Sequence, residues 1–283
     1  MMQRERVSEN VYWFQSEIYA QVTAGAIVGP QWAVLIDTLM PQETLLIRNY
    51  LENELMVPVR YIINTHHHAD HSWGNSFFPN ATVIGHAICR DLMINKSSSA
   101  LAEAGHDNPL FKGVIIVPPH ITFSSGTLSL RVGKKQLQIF CTPGHSPDGI
   151  SILLEEDRIL FAGDAFMPVP FVVGGDLDTL LKTTRAIGDM SLENIVQGHG
   201  DIILRGEIED SVKSNIAYMK SIQKITKTAA RRKNPIEYLN GQDIEFCGKS
   251  RVSLGGSAQD LHQKNLRWLL HEQALLDNKS TLN

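Results

Sequence analysis

Seven side chains able to ligate a metal fall in four short motifs of this chain. Residues 65–71 read T-H-H-H-A-D-H, which sets His66, His68, Asp70 and His71 in an H-x-H-x-D-H pattern. Further on stand His145 in T-P-G-H-S, Asp164 in F-A-G-D-A and His199 in G-H-G-D. Five imidazoles and two carboxylates suit two neighbouring divalent ions with room left for water. A closed four-ligand site only holds a fold together, whereas a site with an open position does chemistry. With eleven histidines in 283 residues, one alone carries little weight. Here four of the donors lie within six residues, and the other three each follow an apolar stretch and a glycine. The spacing implies a metal-dependent hydrolase.

Strands must deliver these groups. Arg60-Tyr61-Ile62-Ile63-Asn64 is short, apolar and β-branched, and reads as a buried strand ending at the first motif. Gln138 to Cys141, Arg158 to Phe161 and Asn194 to Gln197 read the same way before Gly144, Gly163 and Gly198. Glycine lets the backbone turn sharply or approach a neighbour closely. Four strands giving ligands from their carboxyl ends describe a site along a sheet edge. His66 and His68, two apart in extended chain, share a side and would hold one ion with His145. Asp70 and His71, where a helix could start, would turn to a second ion with His199, and Asp164 suits a bridge. His67 alternates away and is not expected to ligate.

The plan looks duplicated. Val22 to Val28 and Trp32 to Asp37 read as a hairpin around Gly29-Pro30. A helix follows with Pro41 in its first turn and Leu46, Tyr50, Leu51 and Leu55 on its inner face. The second half repeats strand-rich sequence from Val114 to Ala162, then a helix from Leu177 to Ile187 capped by Asp176. From Glu207 the pattern becomes helical: Ile208, Val212, Ile216, Met219 and Ile222 make one amphipathic face, and Leu261 to Leu276 a further helix. We expect residues 1–206 to form one catalytic domain and residues 207–283 a helical extension packed on it or forming a homodimer contact. His262 and His271 are expected at the surface.

Other residues are candidates for shaping a pocket. Trp73 adjoins the first motif and serves equally as core or as pocket wall. Phe166 to Val173, broken by two prolines, reads as an apolar loop after Asp164, and Phe166 and Met167 are candidate substrate contacts. Residues 97–113 read as a polar flap in which His106 could reach substrate. His86 suggests a contact to the metal ligands, and His120 has no visible role.

Composition narrows the class. A hydrophobic share of 43% sustains a sizeable core. The net charge of −4 and the lack of a basic stripe argue against a nucleic-acid partner. Arg231-Arg232-Lys233 reads as a solvated helix end. Cys89, Cys141 and Cys247, odd in number, point to free thiols in a reducing compartment. No signal-peptide stretch and no membrane span is visible, so the expectation is a cytoplasmic protein.

At the ligand motifs the chain resembles the metallo-β-lactamase superfamily, from about Val7 to Ile203, with Asp37 at the end of Trp32-Ala33-Val34-Leu35-Ile36 as a further landmark. The resemblance implies an α/β (α+β) fold, a four-layer αββα sandwich of two mixed sheets with outer helices, here followed by the helical extension. It also implies a two-metal hydrolytic site carried by His66, His68, Asp70, His71, His145, Asp164 and His199, with zinc first and iron or manganese as alternatives. The oxidative di-iron branch carries an acidic residue where His68 stands. Asp164 resembles the bridging aspartate of glyoxalase II, ribonuclease Z and lactonase groups, not the cysteine of the best-known lactamases. Met167 stands where those lactamases place a lysine. Ser72-Trp73-Gly74 replaces the paired glycines of glyoxalase II. The expected chemistry is hydrolysis of a small ester, thioester, lactone or amide-like bond, including β-lactams. Asp70 would orient the attacking hydroxide and accept its proton. The alternatives are a phosphodiesterase or nuclease using the same two-metal clamp, or a mononuclear iron oxidation enzyme.

Overall fold

The computed structural model describes residues 2–104, 111 and 113–280. Four strands pair in order as an antiparallel meander: β1 (Met2–Ser8), β2 (Val11–Ser16), β3 (Thr23–Val28) and β4 (Ala33–Ile36). Then β5 (Val59–Ile63), β6 (Thr82–His86) and β7 (Ile121–Phe123) join in parallel, giving a seven-stranded sheet in chain order. Parallel neighbours need crossovers, which are usually helical. Here α1 (Pro41–Arg48) widens into a π-helical turn before β5, and α2 (Ala69–Ser72) follows β5. After β6 come α3 (Ala87–Leu92) and α4 (Ser98–Ala104), joined by another π-helical turn.

The second half repeats the plan. Strands β8 (Thr127–Val132), β9 (Lys135–Cys141), β10 (Ile150–Leu154) and β11 (Ile159–Gly163) are antiparallel. Helix α5 (Leu177–Gly188), capped by the Asp176 carboxylate accepting from the Thr179 amide, crosses to β12 (Asn194–Gln197), parallel to β11. The two-residue β13 (Ile203–Leu204) closes that edge of the six-stranded sheet.

Period-2 alternation decides what each strand gives to which layer. Val34, Ile36 and Ile63 face the second sheet and meet Ile139, Ile152, Phe161 and Val196 there. Leu35 and Ile62 point the opposite way, under Ile47 and Leu51 of the α1 region. On the other outer face, Leu160 and Ile195 pack beneath Ile187 of α5. The result is the four-layer αββα sandwich. Three more helices follow, α6 (Ile208–Ala230), α7 (Pro235–Asn240) and α8 (Ala258–Ser280). Tyr218, Met219 and Ile222 of α6 and Leu266 of α8 close over Val169 and Val172, between Asp164 and α5.

Several expectations change. Leu46 is 48% exposed and Ile47 is buried in its place. Thr44 hydrogen-bonds to the Thr38 carbonyl at 2.6 Å, which turns the Thr44, Ile47 and Leu51 face inward. The front of the 97–113 stretch is helix up to Ala104, as its Ser98-Ser-Ala-Leu-Ala-Glu-Ala run favours. His106 lies outside the described residues. His262 is fully buried, its Nδ1 facing the Tyr218 hydroxyl at 3.2 Å, whereas His271 is exposed as expected. No helix among the described residues is long and apolar enough to cross a membrane.

Candidate metal centre

The first motif runs off the end of β5 into α2, and a polar frame holds that turn. The Asn64 amide and the Thr38 hydroxyl both donate to the His71 carbonyl, each at 3.1 Å. The Ser72 hydroxyl reaches the His67 and His68 carbonyls at 3.0 and 2.9 Å. Asp148, buried and three residues past His145, accepts from the His67 amide at 2.8 Å and faces the His67 ring at 3.1 Å. His67 therefore faces Asp148 and stands outside both groups of converging donors.

Two of the ligand loops depend on glycine. A Cβ on Gly198 would overlap the Asp164 carboxylate, so only glycine lets β12 pass that close to the end of β11. Gly144, at φ +137°, lies against the backbone of Leu180, and a side chain there would push the His145 loop off α5.

The donors converge in two groups, His66, His68, His145 and Asp164 in one and Asp70, His71 and His199 in the other. In the first, His68 Nδ1 lies 2.9 Å from His66 Nε2 and 3.0 Å from His145 Nε2. In the second, Asp70 Oδ2 is 3.4 Å from His199 Nε2 and 3.8 Å from His71 Nε2. Asp164 stands between them: Oδ2 is 3.3 Å from His145 Nε2 and 3.6 Å from His199 Nε2, and Oδ1 is 3.2 Å from His71 Nε2.

The far side of each ring fixes its tautomer. His145 Nδ1 donates to the Phe171 carbonyl at 2.8 Å and His199 Nδ1 to the Ala20 carbonyl at 2.9 Å. His71 Nδ1 faces Asp37 Oδ2 at 2.8 Å. The Thr65 hydroxyl gives its one hydrogen to Asp37, so its lone pair meets His66 Nδ1 at 3.1 Å and that nitrogen carries the proton. In all four rings Nε2 is then the nitrogen that faces the cluster, where it can take a cation or, in its place, a proton. These are the partners that orient metal-bound histidines. Ala20 at φ +44°, Gln21 at φ +53° and Asp37 at φ +58° hold left-handed backbone without being glycine. Such conformations persist where surrounding structure enforces them and gather at functional sites.

Electrostatics divide the histidines. Burial, then the neighbouring rings, holds His66 and His68 well below the ordinary imidazole range, so both are neutral donors. Burial also lowers His145. For His71 and His199 burial opposes the charge, yet Asp164 and Asp70 outweigh it and raise both. Burial works against the Asp164 anion too, but His199, His71 and His145 hold its carboxyl well below the usual range. Divalent cations fit this arrangement. His68 Nδ1 can offer one hydrogen at most to the two lone pairs beside it, and buried His71 Nε2 and Asp164 Oδ1, 3.2 Å apart, are too poorly aligned to hydrogen-bond each other and have no other partner among the described residues. Converging lone pairs and a carboxylate with an orphaned oxygen need cations between them.

The expected pocket residues are placed differently. Phe166 and Met167 are 1% and 2% exposed. Phe166 packs with Ile187, Ile208 and Val212 in the core. Half-buried Phe171 is the loop residue at the metal cluster, its ring 6.0 Å from that of His145. Trp73 is buried beneath Phe111, ring centres 5.1 Å apart. His86 caps α3 through the Ile88 amide and faces the Ser124 carbonyl, away from the ligands. His120 accepts from the Val83 amide. Two neighbours of the cluster escaped sequence reading. Asp148 is signalled only by its distance from His145. Tyr19 is exposed on the β2–β3 loop, and its phenol is raised by Asp70 first, then by burial and Asp164.

Known proteins resemble this chain in sequence and in fold. A Caenorhabditis elegans protein described as a β-lactamase-like protein 2 homolog is 26% identical over 60% of this chain and 52% of its own. The thioesterase pkgB of Emericella nidulans is 28% identical over 60% of this chain and 43% of its own. The chain thus spans about half the length of the curated relatives it matches. A metallo-β-lactamase family protein from Thermus thermophilus superposes with a TM-score of 0.67 at 19% identity, covering 93% of this chain and 94% of that one. That coverage exceeds what residues 1–206 could supply, so the shared fold reaches into the C-terminal helices. A metallo-β-lactamase from Pontibacter korlensis gives a TM-score of 0.63 at 18% identity over 75% of this chain and 99% of that one. The sequence model of the metallo-β-lactamase superfamily matches residues 19–211, well over half of the chain, and with the two-sheet fold and the converging ligand motifs it makes this chain a member of that superfamily.

Proposed function

We propose that this protein is a dinuclear hydrolase, zinc-dependent, that cleaves a small ester, thioester, lactone or amide-like bond. The observation that carries the reading is Asp164 standing between two groups of three donors, with oxygens 3.2 to 3.6 Å from histidines on both sides. Divalent ions held there would supply a water whose pKa falls from 15.7 to roughly 7 and a Lewis acid for the scissile carbonyl. The chain's own residues do the rest. Asp70, whose side chain keeps 14% exposure against 5% for Asp164, borders the open side, where it orients the attacking water and accepts its proton. Asp37, the Phe171 carbonyl and the Ala20 carbonyl keep three rings turned inward, so geometry is set before substrate arrives. Tyr19 and the Phe171 ring would border the substrate, replacing the expected contacts from Phe166 and Met167.

An acyl substrate suits the charges. Among the described residues the ion-pair partners of Asp70 and Asp164 are all histidines, so no lysine or arginine stands against these carboxylates where it could also reach an anionic phosphodiester. That one relative is described as a thioesterase points the same way. The test has two parts. Metal analysis of protein purified without chelator should give about two equivalents, falling when His199 is replaced by alanine. Chromogenic esters, thioesters, lactones, lactams, a generic phosphodiester and a short RNA are then compared at matched metal loading. RNA cleavage far above every acyl substrate would overturn the acyl reading, and a single equivalent unchanged in His199→Ala would overturn the dinuclear one.

A further inference from the structure

The C-terminal helices hold the backbone that orients His145. The Phe171 carbonyl accepts from His145 Nδ1, and the chain on both sides of Phe171 is held by one side chain of α8. Asn265 donates through Nδ2 to the Pro170 carbonyl at 2.8 Å and accepts through Oδ1 from the Val172 amide at 2.9 Å. Its second N–H goes to the Tyr218 hydroxyl of α6 at 3.1 Å, which in turn faces His262 Nδ1. Asn265 is fully buried, and both its donors and its acceptor oxygen are engaged. A buried amide satisfied in this way has one orientation, and flipping it would break every bond. A separate tie lies a few residues earlier. Asn215 of α6 donates to the Met167 carbonyl at 3.0 Å and is itself held by Lys249 at 2.6 Å. The stretch between Asp164 and α5 has no strand to pair with, so these side chains replace the missing ladder.

We propose that Asn265 is a positioning residue of the metal centre: by clamping Pro170 and Val172 it sets the Phe171 carbonyl, and through it the tautomer and direction of His145. The C-terminal helices are then working parts of the site, built as one unit with the sandwich. This rests on the reading of His145 as a metal ligand.

The test titrates cobalt(II) into metal-free full-length protein, following affinity, stoichiometry, the cobalt d–d bands and the thermal transition. The variants are Asn265→Ala, Asn265→Asp, Leu266→Ala and His145→Ala. Asn265→Asp is close to isosteric and keeps the acceptor for Val172 while losing both donors, so it carries the test if Asn265→Ala does not fold. Leu266, buried in the next position of α8, loosens the same core without touching the clamp. Asn265 variants should weaken one of two cobalt equivalents about tenfold, the lower end for partners of metal-bound histidines, and shift the d–d bands. Leu266→Ala should lower the thermal transition and leave the bands in place. Wild-type affinity and bands in the Asn265 variants would overturn the proposal, as would an equal band shift in Leu266→Ala. Cobalt uptake unchanged by His145→Ala would overturn the ligand reading, and the clamp with it.

Discussion

Asp70 and Asp37 are carboxylates close to the same imidazole, with different tasks. Asp70 lies 3.8 Å from His71 Nε2 on the open side, while Asp37 holds His71 Nδ1 from behind and also accepts from the Thr65 amide and hydroxyl. Asp70→Asn should lower turnover ~10²-fold, the scale of a positioned base, with the melting temperature little changed; near-full turnover would remove it from the mechanism. Asp37→Asn should act through His71 instead, weakening metal uptake by about 10- to 100-fold and lowering the thermal transition, because Asp37 is buried among its partners. Turnover at saturating zinc separates the two variants: excess metal should restore Asp37→Asn, whereas Asp70→Asn stays slow. All seven donors were legible because their types and spacing have few other uses. Asp148 and Asn64 were not, since a lone aspartate or asparagine near a turn reads the same whether it braces a ligand or merely caps a loop.

At the scale of elements, alternation and glycines disclosed each strand that ends at a donor, and Asp176 disclosed the start of α5. Failures came where tertiary contacts chose between equivalent faces. Leu46 and Ile47 are both apolar and adjacent, and only the Thr44 bond to Thr38 tells which turns inward. Sequence alone does not reveal that Ile187 of α5 and Ile208 and Val212 of α6 pack on Phe166. His262 looked like a surface residue of α8 but is sealed against Tyr218, and burial pushes its pKa down to about 4 from 6.5. The unfolded chain takes up this proton below about pH 6.5, whereas the folded protein resists it until about pH 4. His262 should therefore destabilise the fold progressively as pH falls through that window and cost nothing above it. Thermal melts of wild type and His262→Asn at several pH values check this: the gap between them should narrow or reverse as the pH is lowered from 7 to 4, and a constant gap would refute it.

Across the whole molecule, the two halves each contribute a meander, a parallel strand and ligands, so the site exists only when both sheets are packed. Phe161 shows how tight that joint is, lying so close to Gly25 of the facing sheet that a Cβ there would collide with its ring. Phe161→Ala should cost roughly 3–5 kcal/mol, the range for an aromatic core truncation, as read by denaturant unfolding. Gly25→Ala should also destabilise, by overpacking. The duplicated order was readable from the sequence, but the joint between the halves was not, because it depends on which faces of two distant strands meet. The described cysteines are all free, and no covalent tie connects the sheets. The donors run from His66 to His199, so bound cations would stitch distant parts of the chain together in the manner of a disulfide. Closing a loop of about 100 residues is worth on the order of 4–5 kcal/mol in the chain-entropy account. Unlike a disulfide, such a stitch tightens or slackens with free metal, by about 1.4 kcal/mol per tenfold concentration above the dissociation constant. Chelation should therefore lower the melting temperature while reductant leaves it untouched, making the lifetime of this fold a readout of metal supply.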